Sequence, residues 1–327
     1  MTLATAQRVL VTGASGFVGR ALVLGLAARG WRVRAAARDA TAVPLADGIE
    51  PVTMPDLTLP ADWRPLLTGV SHVVHLAGLA HSRAAIAEAA YTRVNATASG
   101  ELAAAARNAG VIRFVLMSSV RAQAGPSAMA PLTEDAPPAP TDAYGRSKLA
   151  AEREVFEAFG SGATILRPVL VAGPGVKGNL AALARLARSP MPLPFGALRN
   201  RRSLLGLENL ISIVDFALKA EAAFDRTYLA ADPEPLTVAD LIAAMRAAAG
   251  RKPGLIPVPP VLLQPALALV GRGALAQSLL GALVADPTAL LGAGWRPVAT
   301  TQAEIIRMVA AQTGPSSNAP LTTVAPH

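Results

Sequence analysis

The stretch that most constrains this chain is "RVLVTGASGFVGRALVLGLAARG", residues 8–30. An apolar run enters a turn holding Gly13, Gly16 and Gly19, and an apolar helical pattern leaves it and stops at Gly30. A strand, a glycine turn and a helix in that order let backbone N–H groups close on a pyrophosphate at a helix N-terminus. Three glycines alone are weak; their place between strand and helix makes the turn a nucleotide cradle rather than a packing device. Gly13, Ser15, Gly16, Phe17, Val18 and Gly19 are its cofactor contacts.

The rest of the first half alternates in the same way. Strands are expected at 8–13, 31–38, 72–78, 112–119 and 163–173, and helices at 20–30, 91–110 and 142–160, the last capped by Asp142 or Thr141. That alternation predicts an α/β fold, a doubly wound parallel Rossmann sheet over residues 1–173 with a smaller C-terminal substrate lobe over 174–312, some of whose segments return to the first domain. "SPMPLPFGALRNRRS" reads as irregular, "LTVADLIAAMRAAAG" as a helix capped by Thr237, and 313–327 as a disordered tail.

Composition narrows the function classes. The 327 residues include no cysteine, which excludes disulfides and thiolate-bound metal and fits a reducing, cytoplasmic setting. The net charge of +8 carries no Lys-rich run and no aromatics between the arginines, so an anionic small ligand is expected rather than nucleic acid. "MTLATAQRVLVTGASG" is no signal peptide, and no run is apolar enough to span a bilayer. The nearest, 261–285, reads as buried helices of the small lobe, with a membrane-surface helix as the alternative. His72 and His75 fall on opposite faces of one strand, so no metal site is expected.

"YGRSK" places Tyr144 and Lys148 four apart, on one helical face. A free phenol titrates near pH 10, and a neighbouring ammonium favours its phenolate. A shift of about 3 units takes roughly 4 kcal/mol.

Together, "TGASGFVG", "HLAG" (75–78), Asn95, "SS" (118–119) and "YGRSK" resemble the extended short-chain dehydrogenase/reductases, NAD(P)-dependent sugar-nucleotide epimerases, dehydratases and reductases. The resemblance implies a site of Ser119, Tyr144 and Lys148, with Ser118 the lesser choice: Tyr144 moves the proton, Lys148 also holds the cofactor ribose, and Ser119 hydrogen-bonds the reacting oxygen. Leu76, Ala77 and Gly78 would line the cofactor, and Asp56 and Leu57 would reach its adenine. Ala37 followed by Arg38 leans toward NADP, although Asp39 keeps NAD open.

Dehydratases of the family carry Thr-Asp-Glu where this chain has Ser119-Val120-Arg121, which disfavours elimination. A 4-epimerase and an NADPH-dependent 4-ketoreductase of a UDP-linked sugar, or of another carbonyl compound, remain open. So does a non-catalytic NADP-binding sensor or structural subunit. The acid-free stretch from Lys177 to Arg202 suits a substrate diphosphate; Asn179 and Arg202 are the contacts the resemblance implies, and His81 faces the substrate cleft. The family's homodimer would pair helices 91–108 and 142–159.

Overall fold

The computed structural model describes residues 7–80, 86–269 and 280–312. His81 and the tail 313–327 lie outside the described residues. Seven parallel strands form one sheet: β1 (Arg8–Thr12), β2 (Arg32–Ala37), β3 (Ile49–Thr53), β4 (His72–His75), β5 (Arg113–Met117), β6 (Ala163–Pro168) and β10 (Arg226–Ala230). Their order is β10-β6-β5-β4-β1-β2-β3. Strand order therefore reverses between β1 and β4, the place where an open α/β sheet leaves a crevice at the carboxyl ends of its strands.

Strand periodicity builds both cores. Val9 and Val11 face one apolar cluster and Leu10 the other; Val115 joins the first, Phe114 and Leu116 the second. Helices α1 (Phe17–Ala28) and α7 (Leu207–Lys219) cover the first face. Their approach is close enough that a Cβ on Gly25 would sit 2.6 Å from Ile211 Cγ2. On the second face lie α2 (Arg64–Leu67), α4 (Ala98–Asn108) and α5 (Ala143–Phe159), the last starting where Asp142 Oδ1 accepts from Gly145 N at 2.7 Å. This settles the cap on Asp142.

The expected helix 91–110 is composite. A single turn, α3 (Glu88–Tyr91), leads into a π-helical turn over Thr92–Thr97 before α4 begins. The expected strand 163–173 also breaks: Val169 donates a last N–H to the Ala230 carbonyl at 3.1 Å, and the chain then leaves the sheet. Leu170–Ala172 (β7) pairs instead with β9 (Leu204–Gly206). Residues 31–38 and 72–78 give shorter strands than expected, because their last residues turn into the loops that line the crevice.

The small lobe packs α6 (Gly178–Ala187), α8 (Val238–Ala248) and the helix Thr301–Ala310 around Leu183, Leu241, Ile242, Ile305 and Met308. Two-residue strands β8 (Arg201–Arg202) and β11 (Leu236–Thr237) pair beside it, and Thr237 Oγ1 caps α8 as expected. The segment from 261 is not simply buried. Helix α9 (Pro260–Leu269) buries Leu263 while Val261 and Leu262 are 74% and 59% exposed. Residues 270–279 lie outside the described residues. Among the described residues no helix is long and apolar enough to cross a membrane.

Candidate active site

The glycine turn is a steric requirement. Gly13 has φ +72°, and a Cβ there would meet the Ala77 backbone nitrogen at 2.9 Å. A Cβ on Gly19 would lie 2.1 Å from the Gly13 carbonyl oxygen. Gly16 caps α1 without a side-chain acceptor, and no acid stands in the first turn. The first turn of α1 thus carries N–H groups with no capping side chain, beside exposed Ser15 and at the positive end of the helix dipole. This cradle fits a dinucleotide pyrophosphate.

Thr12 fixes the opposite wall. Its hydroxyl accepts from the backbone N–H groups of Leu76 and Ala77 at 3.2 Å, so its own proton goes to His75 Nδ1 at 2.7 Å. His75 is therefore the Nε2-protonated tautomer. Burial, and then the charge of Lys148, depress its pKa to about 3. His72 points the other way, edge-on to Trp31. The two histidines do not converge, and among the described residues no three metal-ligating side chains gather.

At the end of β2, Ala37 is buried and Arg38 exposed. The Asp39 carboxylate is occupied locally, accepting from Thr41 N at 2.9 Å and Thr41 Oγ1 at 2.6 Å. Asp56 makes the same turn with Thr58, which holds its carboxyl below the usual range; the charge of Arg38 adds to this. Arg38 and Asp56 thus share one rim of the crevice. Leu57 turns its side chain away from that rim, into the second core with Met54 and Trp63.

Helix α5 carries Tyr144, Lys148 and Glu152 one turn apart. Tyr144 is hydrogen-bonded to Ser119, and its ring meets Tyr91 edge-on with centroids 6.0 Å apart. Ser118 turns away to Glu152. The expected electrostatics need a correction here. Burial pushes the Tyr144 phenol up; the opposing influences are Ser119 and, more weakly, Arg121, while Asp142 and Tyr91 add to the rise. Lys148 is not among the groups that move it. The ammonium instead donates to the Met117 carbonyl at 2.9 Å, and burial depresses its pKa to about 8. Spacing placed the two residues on one face but not the ammonium against the phenol.

The π-turn presents Asn95 inward. Its Oδ1 accepts from Leu79 N at 2.7 Å, and its Nδ2 donates to Leu79 O and to Ser147 Oγ at 3.1 and 3.0 Å. A Cβ on Gly78 would lie 2.7 Å from Asn95 Oδ1, so a side chain there would displace the amide at the crevice floor. Beneath them the Arg167–Glu152 ion pair closes at 2.5 Å. Both side chains are almost wholly buried. Burying such a pair costs desolvation, which its hydrogen bonds to Ser118 and Gln123 offset.

Toward the small lobe, Arg202 donates to the Gly281 carbonyl at 2.7 Å. Its pKa is lowered by burial and by the nearby charge of Arg121, which also acts on Tyr144 and pairs with Asp142. Arg121 links the Tyr144 corner to Arg202 beside the small lobe, a placement its sequence context did not announce. Asn179 stands half-buried at the start of α6.

The model of the NAD dependent epimerase/dehydratase family matches residues 9–231. The UDP-glucose 4-epimerase of Vibrio cholerae is 31% identical over 306 residues, covering 90% of this chain and 92% of that protein. The ceramide reductase of Caulobacter vibrioides is 35% identical over 202 residues, covering 62% and 57% of the two chains. Among solved structures, the Bordetella bronchiseptica enzyme WbmG in complex with NAD superposes with a TM-score of 0.74 at 21% identity, covering 95% of each chain. With a match over most of its length and a relative of this identity along nearly all of it, the chain belongs to the NAD dependent epimerase/dehydratase family.

Proposed function

We propose that the chain is a cytoplasmic enzyme that interconverts C4 epimers of a UDP-linked sugar through Ser119, Tyr144 and Lys148. The observation that carries this is the Ser119–Tyr144 hydrogen bond beside a buried lysine, next to a glycine cradle that a dinucleotide fits. Bound NAD(P) supplies the acceptor and donor of hydride. Ser119 holds the sugar C4 oxygen. Tyr144 takes the hydroxyl proton as the C4–H bond breaks and returns it when that bond reforms on the opposite face. Burial keeps it a neutral phenol, so the positive charge that favours phenolate would come with the bound cofactor. Lys148, poised near pH 8, retains most of its charge at neutrality, and its proposed task is to hold the cofactor ribose.

Arg202 and Arg121 set positive charge beside the substrate path, which supports their use, with Asn179, on a diphosphate. At the cofactor's adenosine end, the missing acid at Ala37, the occupied carboxylate of Asp39 and the exposed Arg38 favour a 2′-phosphate, hence NADP over NAD. That same feature favours a second reading: NADPH-dependent reduction of a 4-keto sugar or another carbonyl compound. We further propose a homodimer through the outer faces of α4 and α5.

The test is incubation of purified protein with UDP-glucose and UDP-N-acetylglucosamine without added reductant, and separately with NADPH and a UDP-4-keto sugar. Epimer formation without net redox supports the first reading, and stoichiometric NADPH consumption the second. Tight cofactor binding with neither reaction would overturn both in favour of a sensor.

A further inference from the structure

The helix opening at Pro260 is not absorbed by the proposed chemistry. In its first turn Val261 and Leu262 are 74% and 59% exposed. They do not stand alone. Ile256, 50% exposed, hydrogen-bonds through its N–H to the Leu193 carbonyl at 2.8 Å, and Leu193 N returns to the Gly254 carbonyl at 2.9 Å. That pairing brings the loop before α9 alongside Met191, itself 69% exposed. Buried Arg246 ties the same two loops, donating to the carbonyls of Ser189 and Lys252 at 3.1 and 2.9 Å.

The surroundings of this apolar group are cationic. Arg185, Arg188, Ser189, Ala249 and Arg251 line an adjoining cleft of about 470 Å³. Lys252 follows, fully on the surface. The face is built from two stretches, 185–193 and 249–262, and neither contains an aspartate or glutamate. Exposed aliphatic side chains beside guanidinium groups that no carboxylate pairs among the described residues match the boundary layer of a bilayer, where acyl chains begin just below anionic headgroups. A nucleic-acid backbone would use the arginines and leave four large apolar side chains in water. A second copy of the same face would set cation against cation across a two-fold axis.

We infer that this face of the small lobe docks on an anionic lipid bilayer. Val261, Leu262, Met191 and Ile256 enter the interface, and Arg185, Arg188, Arg251 and Lys252 meet the headgroup phosphates.

The experiment is flotation of the full chain with vesicles of phosphatidylcholine alone or doped with phosphatidylglycerol, at low and high salt. The chain is expected to float with the anionic vesicles only. V261D/L262D is expected to lose at least about tenfold in partition, since charges replace buried aliphatic groups. R185Q/R251Q is expected to lose about 25-fold at low salt, at about fivefold per basic residue. All four residues are exposed or line the cleft, so an unchanged thermal midpoint verifies that each variant is folded. Absence of flotation at low salt would overturn the proposal. So would flotation that V261D/L262D leaves intact, because the contact would then be electrostatic alone. A dimer that V261D/L262D dissociates in sedimentation velocity, without vesicle binding, would assign the face to a second copy instead.

Discussion

Replacing Lys148 by methionine should make the protein more stable at neutral pH while disabling it. The side chain is 6% exposed, and burial brings its pKa from 10.5 to about 8. At 1.36 kcal/mol per pH unit, keeping the ammonium charged inside the fold costs about 3 kcal/mol at pH 7. Methionine has similar length and removes that cost. It also strips the Met117 carbonyl of its donor, a loss of about 1–3 kcal/mol. The net is a gain of about 0–2 kcal/mol, or up to roughly 3 °C in midpoint for a chain of this size.

The pH dependence gives the sign a second check. Folding lowers this pKa, so between about pH 8 and 10.5 the unfolded chain binds the extra proton and wild-type stability rises across that window. Above it the charge penalty is gone and only the lost hydrogen bond remains, so the order of the two proteins should invert. Thermal unfolding of both at pH 7 and pH 10.5, followed by circular dichroism, reads this directly. A variant less stable than wild type at pH 7, or a difference that does not change with pH, would refute the reasoning.

Further outcomes follow from the same geometry. Tyr144→Phe should lower turnover about 10³-fold and leave cofactor affinity within about twofold, measured by steady-state rates and fluorescence titration. Gly19→Ala must drive a methyl against the Gly13 carbonyl, so NAD(P) affinity should fall by more than about 100-fold in the same titration, whereas Gly110→Asn, at a positive φ with open space around it, should leave affinity unchanged. Glu152→Gln strands Arg167 in the core and should cost about 3–5 kcal/mol in urea unfolding. Arg202→Gln should raise KM for a UDP-sugar about 10–100-fold with kcat little altered, the signature of lost ground-state binding.

The residues that could be read from sequence are those whose role is local. Gly13, Gly16 and Gly19 announce themselves because a tight strand-to-helix turn has one chemistry, and β1, α1 and α5 follow from periodicity and a cap. Strand β10 went unread because "RTYLA" is short and takes its meaning from a partner, β6, far back in the chain. Helices α6 and α7 were hidden beside a Pro- and Arg-rich loop. Leu57 looked like a rim residue because it follows Asp56, but its side chain is pulled into the core. Arg121 could not be found because its setting is made by Arg202 and Asp142 arriving from elsewhere. The depressed phenol pKa failed for a related reason: spacing along a helix fixes which face a side chain shares, and the Met117 carbonyl, on another element, decides where the ammonium goes.

The π-turn at Thr92–Thr97 has a bearing on how such a site could arise. Relative to an ordinary helix it amounts to one surplus residue, which rotates everything ahead of it by about 100° about the axis. Removing a single codon from that turn would restore regular winding and swing Asn95 away from Leu79 and Ser147. The amide's position thus depends on the one surplus residue of that turn, and Leu79 and Ser147 hold it there.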